Sequence, residues 1–257
     1  MRLIVTRPQQ DALRWVDTLR ARGLQAEALP LIDIAPATDA GPVHLAWQQI
    51  AQSQYQAAMF VSGNAVQHFY ALKPTPAPAH AATRSWATGP GTLAALRQAG
   101  VADDLIDAPP ASAGQFDSEA LWQIIGPRVA PGHRVLVVRG GAPGGDGAGR
   151  NWFAQQLTDA GAEVDFVVAY ERHPPQWTAA QSARARDAAH DGSVWLLSSS
   201  EAIAHLLLCL PASTLRAARA VATHPRIAQA AREAGFGVVC ESRPTMDDVV
   251  ASIESLE

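Results

Sequence analysis

Hydroxyl-bearing loops recur wherever an apolar, strand-like run gives way to a helical pattern. They are Ser62-Gly63-Asn64, Thr88-Gly89-Pro90-Gly91-Thr92, Ser198-Ser199-Ser200 and Thr223-His224-Pro225. The start of a helix has unpaired N–H groups and a partial positive charge, so it binds carboxylates without needing basic side chains. The same residues could instead only cap their own helices. Four such loops together favour a shared site for an anionic ligand.

Tyr170 is a candidate acid. It is one of three tyrosines and lies near the end of an extended stretch that follows Gly161. A tyrosine at this position packs through its ring, and its hydroxyl could also donate a proton if it faced a cleft. His68 and His205 follow two of the serine loops at matching distances and are predicted to be packing or surface residues.

Other catalytic patterns are missing from the sequence. It has no His-Glu-x-x-His, no nucleophile elbow and no cysteine and histidine at metal-ligand spacing, so no metal site is predicted. The glycine-rich segment Gly140 to Gly149 lacks the Gly-Lys-Ser/Thr ending of a phosphate-binding loop and is predicted to be a mobile surface loop.

Composition narrows the class of protein. The net charge of −4 gives no basic field for nucleic acid or an anionic membrane. No apolar run approaches the roughly 20 residues of a membrane span, and the first residues do not have the pattern of a signal peptide. A cytoplasmic protein is therefore expected. The 257 residues fit one large or two modest domains, of which two is the prediction, and a hydrophobic content of 48% is ample for buried cores.

Strand-loop-helix units position these loops, and a set of three units is duplicated. The run Phe60 to Val66 is echoed by Leu197 to Ile203, each with a histidine two residues later. Without a gap, residues 84–100 match residues 219–235 at eight identical positions: Arg84, Ala87, Thr88, Pro90, Ala95, Arg97, Ala99 and Gly100 against Arg219, Ala222, Thr223, Pro225, Ala230, Arg232, Ala234 and Gly235. Alternating strands and helices predict parallel α/β architecture, in which ligands bind beyond the carboxyl ends of the strands.

The order of several short motifs resembles the uroporphyrinogen-III synthase family over nearly the whole chain. The motifs are Thr6-Arg7-Pro8, Leu29-Pro30, Phe60-Val61-Ser62 with Asn64-Ala65-Val66, Ala87 to Thr92, Arg139-Gly140-Gly141 with Gly149-Arg150, Gly161-Ala162, Tyr170 and Leu197-Ser198-Ser199. Two places depart from the family pattern. Ala142 to Ala148 lengthen the glycine turn, and Thr223-His224-Pro225-Arg226 replaces a Gly-Pro-x-Thr pattern, which puts the threonine contact there in doubt.

The resemblance implies two similar flavodoxin-like α/β domains with parallel sheets, joined by the extended connectors 30–36 and 168–175. One domain would combine residues 1–36 and 172–257, the other would hold residues 37–171, and the substrate would bind in the cleft between them. It also implies a cofactor-free, monomeric enzyme that acts on a linear tetrapyrrole.

In that family hydroxymethylbilane loses its terminal hydroxyl as water, leaving an azafulvene. Closure through a spiro intermediate then inverts ring D. Tyr170 is the candidate for assisting the departure of water. The residues predicted to bind substrate are Arg7, Ser62, Gly63, Asn64, Thr88, Gly89, Thr92, Arg139, Gly140, Ser198, Ser199, Ser200, Thr223 and His224.

Two other classes stay open at this point. A non-enzymatic anion-binding or sensory protein could close the same helix starts on a ligand without chemistry. A pair of flavodoxin-like redox domains would carry a yellow flavin after purification.

Overall fold

The chain folds as two compact units of alternating strands and helices. The computed structural model describes residues 1–75, 83–110, 112–145 and 152–256. Residues 1–33 with 173–257 form the first unit, and residues 34–172 form the second. Gly149 and Arg150 lie outside the described residues, as does all of the predicted loop after Gly145.

The elements follow one another in the alternating order that the sequence predicts. The strands are β1 (Arg2–Val5), β2 (Gln25–Ala28), β3 (Asp33–Pro36), β4 (Ala57–Phe60), β5 (Arg84–Ala87), β6 (Ile106–Asp107), β7 (Arg134–Gly141), β8 (Glu163–His173), β9 (Val194–Leu197), β10 (Arg219–Ala222) and β11 (Val238–Glu241). The helices are α1 (Gln9–Ala21), α2 (Gly41–Ala51), α3 (Gly63–Ala71), α4 (Pro90–Gln98), α5 (Ser118–Ile125), α6 (Trp152–Asp159), α7 (Ala179–Ala188), α8 (Ser200–Cys209), α9 (Pro225–Glu233) and α10 (Met246–Glu254).

Each unit is built on its own sheet. In the described residues the first sheet has the order β11-β10-β9-β1-β2, and the second has the order β3-β8-β7-β4-β5-β6. All four strand pairs of the first sheet are parallel, as are β8-β7, β7-β4, β4-β5 and β5-β6 in the second. The predicted parallel α/β class is therefore confirmed.

The central strands are apolar on both sides because helices cover both faces of each sheet. All four residues of β4 and of β9 are buried. In the second unit, Phe60 and Val138 pack with residues of α2, α3 and α4 on one face. Met59 and Val137 pack with α5 and α6 on the other face. The two faces of this sheet therefore have separate cores.

The duplicated sequence segments form the same elements. The loop serines Ser62 and Ser199 both stand immediately before a helix, α3 and α8, and the matched segments 84–100 and 219–235 form β5-α4 and β10-α9. This bears out the predicted duplication. One prediction was wrong: Gly140 and Gly141 are not loop residues but the last residues of β7, where they pair with Tyr170 and Glu171 of β8.

The two predicted connectors are extended segments that contribute to strands. Residues 33–36 form β3 and residues up to 173 form the end of β8, and these strands are neighbours in the second sheet. None of the helices in the described ranges has the length and apolarity required to cross a membrane.

Candidate functional site

The predicted loops of the second unit follow adjacent strands at one edge of its sheet. Phe60 pairs with Ala87 of β5 and with Val138 of β7, so β4 and β5 end level, whereas β7 continues beyond them to Gly141. The residues after β4 and β5 and the last residues of β7 therefore lie at one edge of the sheet: Ser62, Gly63, Asn64, Thr88, Gly89, Arg139 and Gly140. These seven residues, all predicted to bind substrate, thus share one edge of the sheet.

Two helices begin side by side at this edge. Ser62 Oγ accepts a hydrogen bond of 3.1 Å from the backbone N–H of Ala65 and so caps α3. A Cβ atom placed on Gly63 would lie 3.5 Å from the carbonyl oxygen of Gly91, in the first turn of α4. Gly89 precedes α4 and has no side chain, so the N-cap residue accepts no hydrogen bond from the first N–H groups of α4. An anion at this edge would meet two positive helix ends.

Tyr170 reaches the same edge from β8. Its hydroxyl lies 3.1 Å from Ser62 Oγ, and the residue is only 4% exposed. The register of β7 and β8 shifts here, because Arg139 pairs with Val168 whereas Gly140 pairs with Tyr170. Ala169 is the extra residue of this bulge. The bulge puts Ala169 and Tyr170 in the same core, although successive strand residues normally face opposite sides.

Three residues surround the Tyr170 ring. A Cβ atom on Gly140 would lie 2.4 Å from Tyr170 Cζ, so the absence of a side chain there lets the ring pack directly on β7. The His68 ring stacks on the Tyr170 ring with centroids 5.7 Å apart, and the Arg172 guanidinium lies 6.0 Å from its centroid. Burial lowers the pKa of His68 from its ordinary 6.5, which favours a neutral ring at neutral pH.

The remaining predicted residues of this unit differ in accessibility. Asn64, Thr88 and Gly89 are half-buried at the edge, where a ligand could reach them. Thr92 is buried within the first turn of α4. Its side chain is therefore a packing group in this structure rather than an open donor.

The first unit repeats the arrangement at the edge of its own sheet. Val5 pairs with Leu196 of β9, and Leu197 pairs with Ala222 of β10, so the residues following β1, β9 and β10 lie at one edge. Ser199 Oγ accepts a hydrogen bond of 3.4 Å from Ala202 N–H and caps α8. The predicted residues at this edge are Arg7, Ser198, Ser199, Ser200, Thr223 and His224.

Arg7 is half-buried and lies two residues before the start of α1. Its guanidinium carbon lies 4.3 Å from the centre of the Trp15 ring, a cation-π contact. Burial lowers the pKa of Arg7, with a smaller opposing effect from Asp11. Within the described ranges, no carboxylate forms an ion pair with Arg7. A positive charge held in this way at a strand end is suited to an anionic ligand.

Thr223 and His224 are engaged by their own unit. The Thr223 hydroxyl lies 3.5 Å from the Leu197 carbonyl oxygen, at the limit of a hydrogen bond, and the residue is buried. His224 Nδ1 accepts a hydrogen bond of 3.1 Å from the Arg226 N–H and caps α9. Where this sequence departs from the family's Gly-Pro-x-Thr pattern, helix α9 is therefore capped by a side chain. The matching helix α4 follows Gly89 and has no side-chain cap.

A family model described as Uroporphyrinogen-III synthase HemD matches residues 14–251. The chain belongs to the uroporphyrinogen-III synthase family. The family predicted from the short motifs is confirmed by this match.

Solved structures of the uroporphyrinogen-III synthase family share the fold. One is the uroporphyrinogen-III synthetase of Helicobacter pylori, with 16% identity, a TM-score of 0.59 and full coverage of both chains at 100%. Another is a mutant uroporphyrinogen III synthase of Thermus thermophilus, with 16% identity and a TM-score of 0.56, covering 100% of this chain and 98% of the other. At such low identity these likenesses establish the fold alone. No curated protein matches the chain.

The structure adds a cavity that the family motifs do not predict. It lies in the second unit on the face covered by α5 and α6, measures about 230 Å³, and includes Arg139 and Gly140 in its wall. Phe166, Trp152 and Arg172 also line it.

Histidine, cysteine and carboxylate residues are not gathered for metal binding in the part of the chain that the structure describes. The two matched histidines have intramolecular contacts instead. His68 stacks on Tyr170, and His205 Nδ1 lies 2.9 Å from the Leu31 carbonyl oxygen. Both contacts agree with the prediction that these histidines are packing or surface residues.

Proposed function

We propose that this chain is a hydro-lyase that cyclises hydroxymethylbilane to uroporphyrinogen III, with loss of water and inversion of ring D, and that it needs no cofactor. Family membership supports the reaction class. The observation on which the assignment of roles depends is the Tyr170 hydroxyl, held 3.1 Å from the capping serine of α3 at the carboxyl edge of the sheet. We further propose that the protein is monomeric and acts in the cytoplasm.

The substrate's carboxylates are the proposed partners of the helix starts. The edge of the second unit offers the first turns of α3 and α4, and that of the first unit offers Arg7 and the first turn of α8. Backbone N–H groups bind carboxylates through charge-assisted hydrogen bonds, which are about twice as strong as neutral ones. This explains how a chain with a net charge of −4 could bind a strongly acidic ligand.

Tyr170 is the proposed acid for the first step. Its O–H proton moves to the terminal hydroxyl of the substrate, the carbon–oxygen bond breaks towards oxygen, and water leaves a protonated azafulvene beside a tyrosinate. The substituted carbon of ring D attacks to give the spiro intermediate, which opens and recloses with the ring inverted. The carbon that closes the macrocycle then loses a proton. Transfer of this proton to the Tyr170 oxygen restores the neutral tyrosine.

Control of conformation is the second part of the proposed role. The substrate loses its hydroxyl readily and closes without inversion when unaided. Selecting isomer III therefore requires the folded substrate to be held in one arrangement while the simpler closure is excluded. The uncapped start of α4 and the half-buried Asn64 and Thr88 supply polar contacts for such holding.

A change of one hydroxyl tests the assignment of Tyr170. Tyr170→Phe keeps the ring between Gly140 and His68 but removes the proton, so turnover of hydroxymethylbilane to isomer III should fall by at least about tenfold. Tyr70→Phe makes the same change on α3 and should behave as wild type. Full turnover with an unchanged isomer ratio in Tyr170→Phe would end the proposed acid role.

A further inference from the structure

The cavity of the second unit combines aromatic walls with charged side chains. Phe166 and Trp152 are 42% and 38% exposed although both are large apolar residues. The Arg139 guanidinium carbon lies 4.1 Å from the centre of the Phe166 ring. Arg172 and Glu119 also line the cavity. A flat ring with acidic substituents matches these walls in shape and in charge.

The chemistry of the wall distinguishes among flat ligands. Two arginines bind carboxylates, and guanidinium groups do so with paired hydrogen bonds. Glu119 offers an acceptor for a ring N–H group. The aromatic faces of Phe166 and Trp152 offer stacking surfaces. A pyrrole with acidic side chains has all three complementary features, namely carboxylates, a ring N–H and a planar face.

Size limits the occupant to one ring. Pockets for drug-sized ligands measure about 300–1,000 Å³. The cavity, at about 230 Å³, is smaller than that range and has no room for four linked rings. We propose that it is a subsite for a single pyrrole ring of the tetrapyrrole, with Arg139 and Arg172 binding that ring's carboxylates. This ring subsite rests on the proposed function and adds Trp152, Phe166 and Arg172, which lie outside the family motifs.

The ring subsite adjoins the surroundings of Tyr170. Gly140 and Arg172 belong to the cavity wall, and a Cβ atom placed on Gly140 would touch both Arg172 and the Tyr170 ring. A pyrrole in the cavity would thus lie across β7 from the proposed acid. Binding of one ring there restricts where the neighbouring ring can go, which is the control that ring inversion requires.

Binding of a single-ring probe tests the ring subsite apart from turnover. The probe is a monopyrrole with one acetate and one propionate chain, titrated into the full-length chain labelled with ¹⁵N at its seven tryptophans. The indole N–H signal of Trp152, assigned by its loss in Trp152→Phe, should show the largest saturable shift. A shift centred on another indole, or no saturable shift, overturns the ring subsite.

Variants of the wall give the quantitative test. Arg139→Gln should weaken binding of the monopyrrole by about tenfold or more. Phe166→Ala, which removes a partly exposed side chain, should weaken it by about two- to tenfold. Arg97→Gln removes an equal charge at the end of α4 and should bind as wild type. Equal affinity in all three variants contradicts the proposal, provided that circular dichroism confirms each fold.

The same preparations separate this inference from the proposed function. If Phe166→Ala and Arg139→Gln both form isomer III at the wild-type rate and with an unaltered KM, the ring subsite is refuted and the enzyme assignment stays intact. Absence of isomer III in wild type, together with monopyrrole binding at Trp152, would remove the proposed function and retain a pyrrole-binding cavity.

Discussion

Replacing Gly140 by alanine tests the packing of Tyr170 most severely. The new Cβ would lie 2.4 Å from Tyr170 Cζ, 2.6 Å from Tyr170 Cε2 and 2.5 Å from a terminal nitrogen of Arg172. Carbon atoms in contact normally lie about 3.5–4.0 Å apart. The end of Arg172 can swing away, but the Tyr170 ring is buried in the core beside α3 and has to shift.

The size of the shift sets the expected effects. Relieving the overlap moves the ring by about 1 Å, which lengthens the 3.1 Å contact between Tyr170 and Ser62 beyond hydrogen-bonding distance. Overpacking of this kind costs about 1–3 kcal/mol in the free energy of unfolding. A displacement of about 1 Å in a reacting group lowers turnover by about 100-fold. Gly140→Ala should therefore lose more activity than stability.

The assay measures turnover of hydroxymethylbilane, the ratio of uroporphyrinogen isomers and the thermal unfolding midpoint. Gly114→Ala is the matched control, because nothing lies within 4 Å of a Cβ atom at that position. Wild-type turnover and isomer ratio in Gly140→Ala would refute the reasoning, since Tyr170 would then tolerate displacement. Equal losses in Gly114→Ala would refute it as well.

Three further outcomes are expected. Arg7→Gln should raise KM for hydroxymethylbilane about tenfold, because a charged hydrogen bond to carboxylate is lost, and an unchanged KM would exclude that contact. Asp107→Asn should lower the free energy of unfolding by about 1–3 kcal/mol, because the buried carboxylate binds Arg84 and Arg128. Burial alone raises the pKa of Asp107, but the hydrogen bonds from the two arginines lower it overall. In urea titrations, the difference in free energy of unfolding between wild type and Asp107→Asn should therefore shrink as pH falls below 3.8. His68→Phe should keep the stacking on Tyr170 and reduce the loss of stability that occurs below pH 6.5. Burial lowers the pKa of His68, so its protonation favours the unfolded chain. An unchanged pH dependence of the free energy of unfolding would contradict this.

Most of the fold could be predicted because local patterns repeat. The positions shared by residues 84–100 and 219–235 place a strand, a turn and a helix start in the same order, and the structure has β5-α4 and β10-α9 there. Ser62 and Ser199 could be recognised as helix starts, since a serine that follows an apolar strand and precedes a helical pattern is a preferred cap. Each accepts a hydrogen bond from a backbone N–H in the first turn of its helix.

The surroundings of Tyr170 could not be predicted because they depend on a bulge and on distant pairings. Alternation along β8 alone would put Tyr170 on the face opposite Ala169, and the extra residue at Ala169 reverses this. The glycines 140 and 141 looked like the start of a loop, since glycine is rare inside strands. Gly140 is instead a residue of β7, and a glycine is needed there because the Tyr170 ring occupies the space that a side chain would fill.

The cavity was missed for the same reason. Its walls come from β4, β7, β8, α5 and α6, and no short motif joins these segments. Phe166 lies in an apolar strand where an aromatic residue is expected to be buried. Its exposure becomes evident only from the packing of the helices around it.

The isomer composition of the product tests the central claim most directly. Purified chain is supplied with hydroxymethylbilane, and uroporphyrinogens I and III are resolved over time beside a reaction without protein. The proposed function predicts isomer III as the main product at a rate well above spontaneous closure. Formation of isomer I alone, at the spontaneous rate, would contradict it.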